Sequence, residues 1–86
     1  MPEISRFFGI VIKMFYDDHN PPHFHAEYEG NLVLVDIRTL SAFSGRLSPR
    51  AMGLVIEWAI LHQQELFTDW ERARSQQKLQ NIPPLE

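Results

Sequence analysis

The stretch Ser48–Leu66, SPRAMGLVIEWAILHQQEL, decides the fold, because the apolar period of the chain changes there from two to between three and four. Ser48 is an N-cap residue whose hydroxyl can accept from an orphan amide. Pro49 suits the first helical position, where an N–H has no partner to lose. Beyond them Ala51, Met52, Val55, Ile56, Ala59 and Leu66, with Leu54, Trp58 and Leu61, recur at helical spacing as one broad apolar stripe. Glu57 and Gln63–Glu65 lie mostly off it. The pattern continues through Phe67, Trp70, Ala73 and Arg74, which predicts a second helix after a kink near Phe67–Thr68.

Upstream the period is two. Phe8, Ile10, Ile12, Met14 and Tyr16 alternate with Phe7, Gly9, Val11, Lys13 and Phe15, a β-branched and aromatic run that predicts one strand. Asp17–Pro22, DDHNPP, is a loop, since proline donates nothing to a ladder and pushes its predecessor out of the helical region. A second strand is expected over His23–Tyr28 and a third over Leu32–Leu40, joined by a turn at Glu29-Gly30-Asn31. Ala42–Leu47 is a short fourth, weakened by Ser44 and Gly45. Such short connections favour an antiparallel meander. The expected architecture is α+β: a three- to four-strand antiparallel meander, then one long kinked helix or a helix pair on one sheet face. Residues 1–76 form the domain, and 77–86 a Pro-containing extended tail.

Composition narrows the function classes. Eighty-six residues suit one domain, and 44% hydrophobic against 22% charged is globular rather than disordered. The absence of cysteine removes disulfides and thiolate metal clusters. A net charge of −3 argues against a dedicated phosphate-binding surface, though a local basic patch stays open. The apolar run near the N-terminus is interrupted by Lys13 and falls short of the roughly 20 residues that span a bilayer. A cytoplasmic location and no membrane partner are therefore expected.

Alternation sorts the two sheet faces. One collects Phe8, Ile10, Ile12, Met14, Tyr16, Phe24, Ala26, Tyr28, Val33, Val35 and Ile37, an apolar surface for the helical stripe to cover. The other carries Phe7, Val11, Lys13, Phe15, His23, His25, Glu27, Leu32, Leu34, Asp36 and Arg38. Apolar residues clustered beside charges point to a contact, and Phe7, Val11 and Leu34 are the candidate docking residues. That contact is a partner, a second copy of the chain, or the C-terminal segment folded back.

The densest chemistry lies in DDHNPPHFH, residues 17–25, which holds three of the four histidines. His23 and His25, at i and i+2 on a strand, project from one face. Three readings stand side by side. The imidazoles can share a metal, with Asp17, Asp18, His19 or Asp36 adding a third donor. Alternatively His19, His23 and His25 move protons while Lys13, Arg38, Arg46 or Arg50 hold a phosphodiester, as in a metal-independent ribonuclease. In the third, the histidines are strand residues bonded to Glu27 or Asp36, and the loop is structural. No cofactor is required by the second and third.

The strings ISRFFGIVIKMFYDDHNPPHFHAEYEG, LVDIRTL and SPRAMGLVIEWAILHQQEL resemble the small bacterial family called domain of unknown function 4160, from about Pro2 to about Leu85. DHNPPHFHAEY is the most specific part. The resemblance implies a second small protein encoded beside this one, in a pair like a toxin–antitoxin module, and with it RNA as a further partner class. It supplies no catalytic residue. The chain is thus expected to be one component of such a module, acting through protein binding. His19, His23, His25 and Arg50 are its candidate catalytic residues, and Asp18, Asp36 and Arg38 its candidate polar contacts. The alternatives are a non-catalytic protein-binding or homodimerisation module, or a protein that binds metal weakly through His23 and His25.

Overall fold

In the computed structural model, which describes residues 2–86, five strands precede two helices. The strands are β1 (Glu3–Phe7), β2 (Ile10–Lys13), β3 (His23–Tyr28), β4 (Asn31–Asp36) and β5 (Ala42–Gly45). The helices are α1 (Pro49–Leu61) and α2 (Gln63–Arg74). The strands pair antiparallel in chain order, β1-β2-β3-β4-β5. The α+β meander stands as expected, with one strand more.

The extra strand comes from the run expected to be continuous over Phe7–Tyr16. Phe8 and Gly9 take φ of 50° and 81°, so the chain reverses there in a two-residue turn with both central residues in the left-handed region. Glu29 and Gly30 do the same between β3 and β4, at 49° and 81°. A phenylalanine at positive φ is uncommon, and the apolar alternation continues across the turn, which concealed it. The reversal corrects two assignments. Phe7 pairs with Ile10 and joins the core, 5% exposed, rather than the opposite face. Phe8 sits at the turn, 61% exposed, rather than in the core. β4 ends at Asp36 instead of Leu40 because the Asp36 carboxylate turns the chain, with Oδ1 accepting from the Arg38 amide at 2.7 Å.

Phe7, Ile10, Ile12, Met14, Phe24, Ala26, Val33, Val35 and Ile37 are buried with Ala51, Val55, Trp58, Ala59, Leu66 and Trp70 of the helices. Ser48 caps α1, its hydroxyl accepting from the Ala51 amide at 3.3 Å. Trp58 lies across the sheet, 5.4 Å from the Phe7 ring and edge-on to Phe24 at 5.8 Å. The break between the helices falls at His62, whose φ of −124° leaves the helical region, and not at Phe67–Thr68. Thr68 stays helical, its hydroxyl donating to the Gln64 carbonyl at 3.0 Å. Because the chain turns at His62, Leu61 leaves the apolar stripe and is 65% exposed.

Residues 77–86 have no helix or strand, yet they are tied to the helical side of the sheet. The Pro83 carbonyl accepts from Trp58 Nε1 at 2.9 Å, and the Ile82 amide donates to the Ile4 carbonyl at 2.8 Å. Asp69, 1% exposed, accepts from the Gln80 amide at 3.0 Å and from Arg72 at 2.9 Å. Ile82 and Leu85 are buried in the core. The tail therefore does not cover the opposite face.

Two glycine substitutions should move stability in opposite directions. Gly53 is an exposed position inside α1 with nothing within 4 Å of an added Cβ. Gly53→Ala should stabilise by about 1 kcal/mol through helix propensity. Gly9→Ala, at φ 81°, should destabilise by about 1 kcal/mol or more. Urea denaturation midpoints of the two variants, on either side of the wild type, check both.

Candidate functional site: the Asp18–His23–His25 cluster

The loop between β2 and β3 leads directly into His23, so a residue in the loop and two residues of the strand share one end of the sheet. The stiff Pro21-Pro22 pair constrains the chain just before the strand. Asp18 Oδ2 lies 2.9 Å from His25 Nε2 and 3.2 Å from His23 Nε2. One oxygen thus faces two ring nitrogens, and the three donor atoms all lie within 4.8 Å of one another. The other nitrogen of His23, Nδ1, is 2.7 Å from the Pro21 carbonyl. A carbonyl only accepts, so Nδ1 carries the proton and donates.

Aromatic rings enclose the cluster. Phe15 meets His25 edge-on with ring centres 4.6 Å apart, and Phe43 of β5 meets His23 edge-on at 5.3 Å. Trp70 of α2 lies 5.4 Å from His23, and the two imidazoles are 5.3 Å apart. The side chain of His23 is 7% exposed, that of His25 15% and that of Asp18 27%, so the cluster opens to solvent on the Asp18 side.

Of the possible third donors, only Asp18 converges with His23 and His25. His19, one residue on, is exposed and outside the cluster. Asp36 lies opposite His23 in the ladder, but its carboxylate is engaged by Arg38 at 3.2 Å and by the Arg38 and Thr39 amides. The expected bonds from the histidines to Glu27 or Asp36 do not form. Glu27 pairs with Lys13 at 3.1 Å, and the imidazoles turn to Asp18.

Arg50 does not approach the histidines. It lines a cleft with Phe8, Ile10 and Tyr28, and Tyr28 ends the strand that His23 begins. Five residue-to-residue steps along the strand separate those ends, about 17 Å. Lys13 and Arg38 are each held by a carboxylate. Arg50, Lys13 and Arg38 therefore do not join the histidines in the phosphodiester site that the sequence allowed. Phe43 and Trp70 were not among the candidates, being 20 and 47 residues from His23 with no local pattern to link them. Val11 and Leu34 sit half-buried on the face the helices leave open, with Leu32 and Phe43 more exposed beside them.

The family model described as "Domain of unknown function (DUF4160)" matches residues 9–71, which spans both the cluster and α1. The chain belongs to that family. No curated protein and no solved structure matches it.

Asp36 makes the stability of this end of the sheet depend on pH. The Arg38 side chain holds its carboxyl below the usual range, and the Arg38 and Thr39 amides assist against the opposing effect of burial. A carboxyl with a depressed folded pKa contributes stability above its unfolded pKa of about 3.9 and loses it as pH falls through the folded value. Asp36→Asn should therefore destabilise the protein at pH 7, with the deficit shrinking below about pH 4. Urea midpoints for both proteins at pH 7 and pH 3 check the convergence.

Proposed function

We propose that this chain is one component of a two-protein, toxin–antitoxin-like module in the cytoplasm, binding a small partner protein through the sheet face that the helices leave uncovered. One observation carries the reading: Val11, Leu34, Leu32 and Phe43 lie together on that face, with Leu32 44% and Phe43 48% exposed. An antiparallel sheet with one solvated face ordinarily turns polar residues outward. Apolar residues grouped on one open face, with the Lys13–Glu27 pair set between Val11 and the leucines, are the pattern of a docking surface.

The electrostatics favour protein over RNA as the occupant. Arg6 pairs with Glu3 at 2.8 Å, Lys13 with Glu27 and Arg38 with Asp36, so three cations at this side of the sheet are already matched by carboxylates. A phosphate backbone would need them free. Among the described residues no helix is long and apolar enough to cross a membrane.

The double variant Val11→Glu/Leu34→Glu, co-expressed with the small protein encoded beside it, should lose at least about 30-fold in affinity while keeping its circular dichroism spectrum. Size-exclusion chromatography and calorimetry read the complex. A folded double variant that still binds at wild-type affinity overturns the reading. So does a homodimer of the wild type that the same substitutions disperse, which would make a second copy the occupant.

A further inference from the structure

We infer that Asp18, His23 and His25 form a binding site for one divalent first-row transition-metal ion of the zinc type. The inference is independent of the partner reading, since metal uptake is measured on the isolated chain.

The geometry is that of a coordination set. Tetrahedral bonds of about 2.0–2.1 Å place neighbouring donor atoms about 3.3 Å apart, and octahedral bonds of that length about 2.9 Å. The separations at Asp18 Oδ2, 3.2 Å to His23 Nε2 and 2.9 Å to His25 Nε2, fall in that range. All three donor atoms lie within 4.8 Å of one another, so one ion reaches them once the two imidazoles close on it. Two imidazoles and one carboxylate are a donor set for zinc and its neighbours rather than for magnesium or calcium, which take oxygen.

The hydrogen bonding around His23 points the same way. With Nδ1–H committed to the Pro21 carbonyl at 2.7 Å, a neutral His23 turns the Nε2 lone pair toward Asp18 Oδ2, which carries lone pairs of its own. Two acceptors at 3.2 Å repel, and a positive centre between them removes the repulsion. A backbone carbonyl orienting the far nitrogen is also the usual support of a metal-bound histidine. Phe15, Phe43 and Trp70 pack around the imidazoles and limit their movement. The solvent-facing side by Asp18 leaves the remaining coordination positions to water or an incoming ligand.

A bridging proton is the competing explanation, and the test separates the two. Protein stripped with a chelator is titrated with Zn2+ by calorimetry, and with Co2+ by visible absorption. One equivalent should bind per chain, with a Co2+ ligand-field spectrum showing nitrogen and oxygen donors. Asp18→Asn and His25→Ala should each weaken binding at least about tenfold. His19→Ala, at the exposed neighbour outside the cluster, should leave it unchanged. His23→Ala removes a buried ring, so the judgement rests on the two more exposed positions, with folding checked by denaturation midpoints. Equal metal affinity in wild type, Asp18→Asn and His25→Ala overturns the site, as does failure of the wild type to take up either ion. The second result would leave a proton-bridged cluster.

Discussion

The fold hangs on Trp58. Its indole is fully buried, packs at a tilt against Phe7 from β1, meets Phe24 from β3 edge-on and donates Nε1–H to the Pro83 carbonyl of the tail. One side chain thus ties together the first strand, the central strand, α1 and the last residues of the chain. Emptying such a position costs about 3–5 kcal/mol, a large share of the roughly 4–13 kcal/mol that a domain of this length holds. A small domain has few such anchors, and the placement of α1 over one sheet face follows from this one.

That placement divides the labour between the two faces. Helices and tail all gather on the Trp58 side, so the opposite face is free to carry polar chemistry without having to support the core. The Asp18–His23–His25 cluster sits where the two regimes meet. Its histidines belong to the open face by alternation, yet Trp70 of α2 reaches the His23 ring from the helical layer. The cluster therefore gains burial on one side and access on the other. A histidine pair in mid-sheet on a solvated face would have only the second.

Much of the architecture was legible in the sequence because it is written in local periods. The Ser48-Pro49 start, the helical stripe and the alternation through β3 and β4 each repeat within a few residues. What resisted was conformational. Nothing in the alternation of Phe7–Tyr16 distinguishes a straight strand from a hairpin whose turn holds a phenylalanine at positive φ. In the site, the pairing of His23 with His25 follows from strand geometry alone. The choice of Asp18 over Asp17, His19 or Asp36 does not, because loop residues point where the loop's path sends them. Asp36 was lost to the site through its own backbone turn, and Arg50 through a distance that only the assembled sheet reveals. Phe43 and Trp70 enter through tertiary packing, for which no short-range signal exists.

The tail's hydrogen bond from Ile82 to Ile4 has a consequence for how these molecules behave toward one another. β1 is an outer strand of the sheet, and its Ile4 carbonyl, at the irregularity in the pairing with β2, accepts from the Ile82 amide of the tail. An outer strand with free backbone groups is a template for a foreign strand, and aggregation begins by such edge-to-edge addition. The tail occupies that position with the chain's own backbone. At the other margin β5 offers only four residues and an irregular register, a poor template by length and shape. The last ten residues thus act as a selvedge, finishing the cloth of the sheet so that it does not continue into the next molecule.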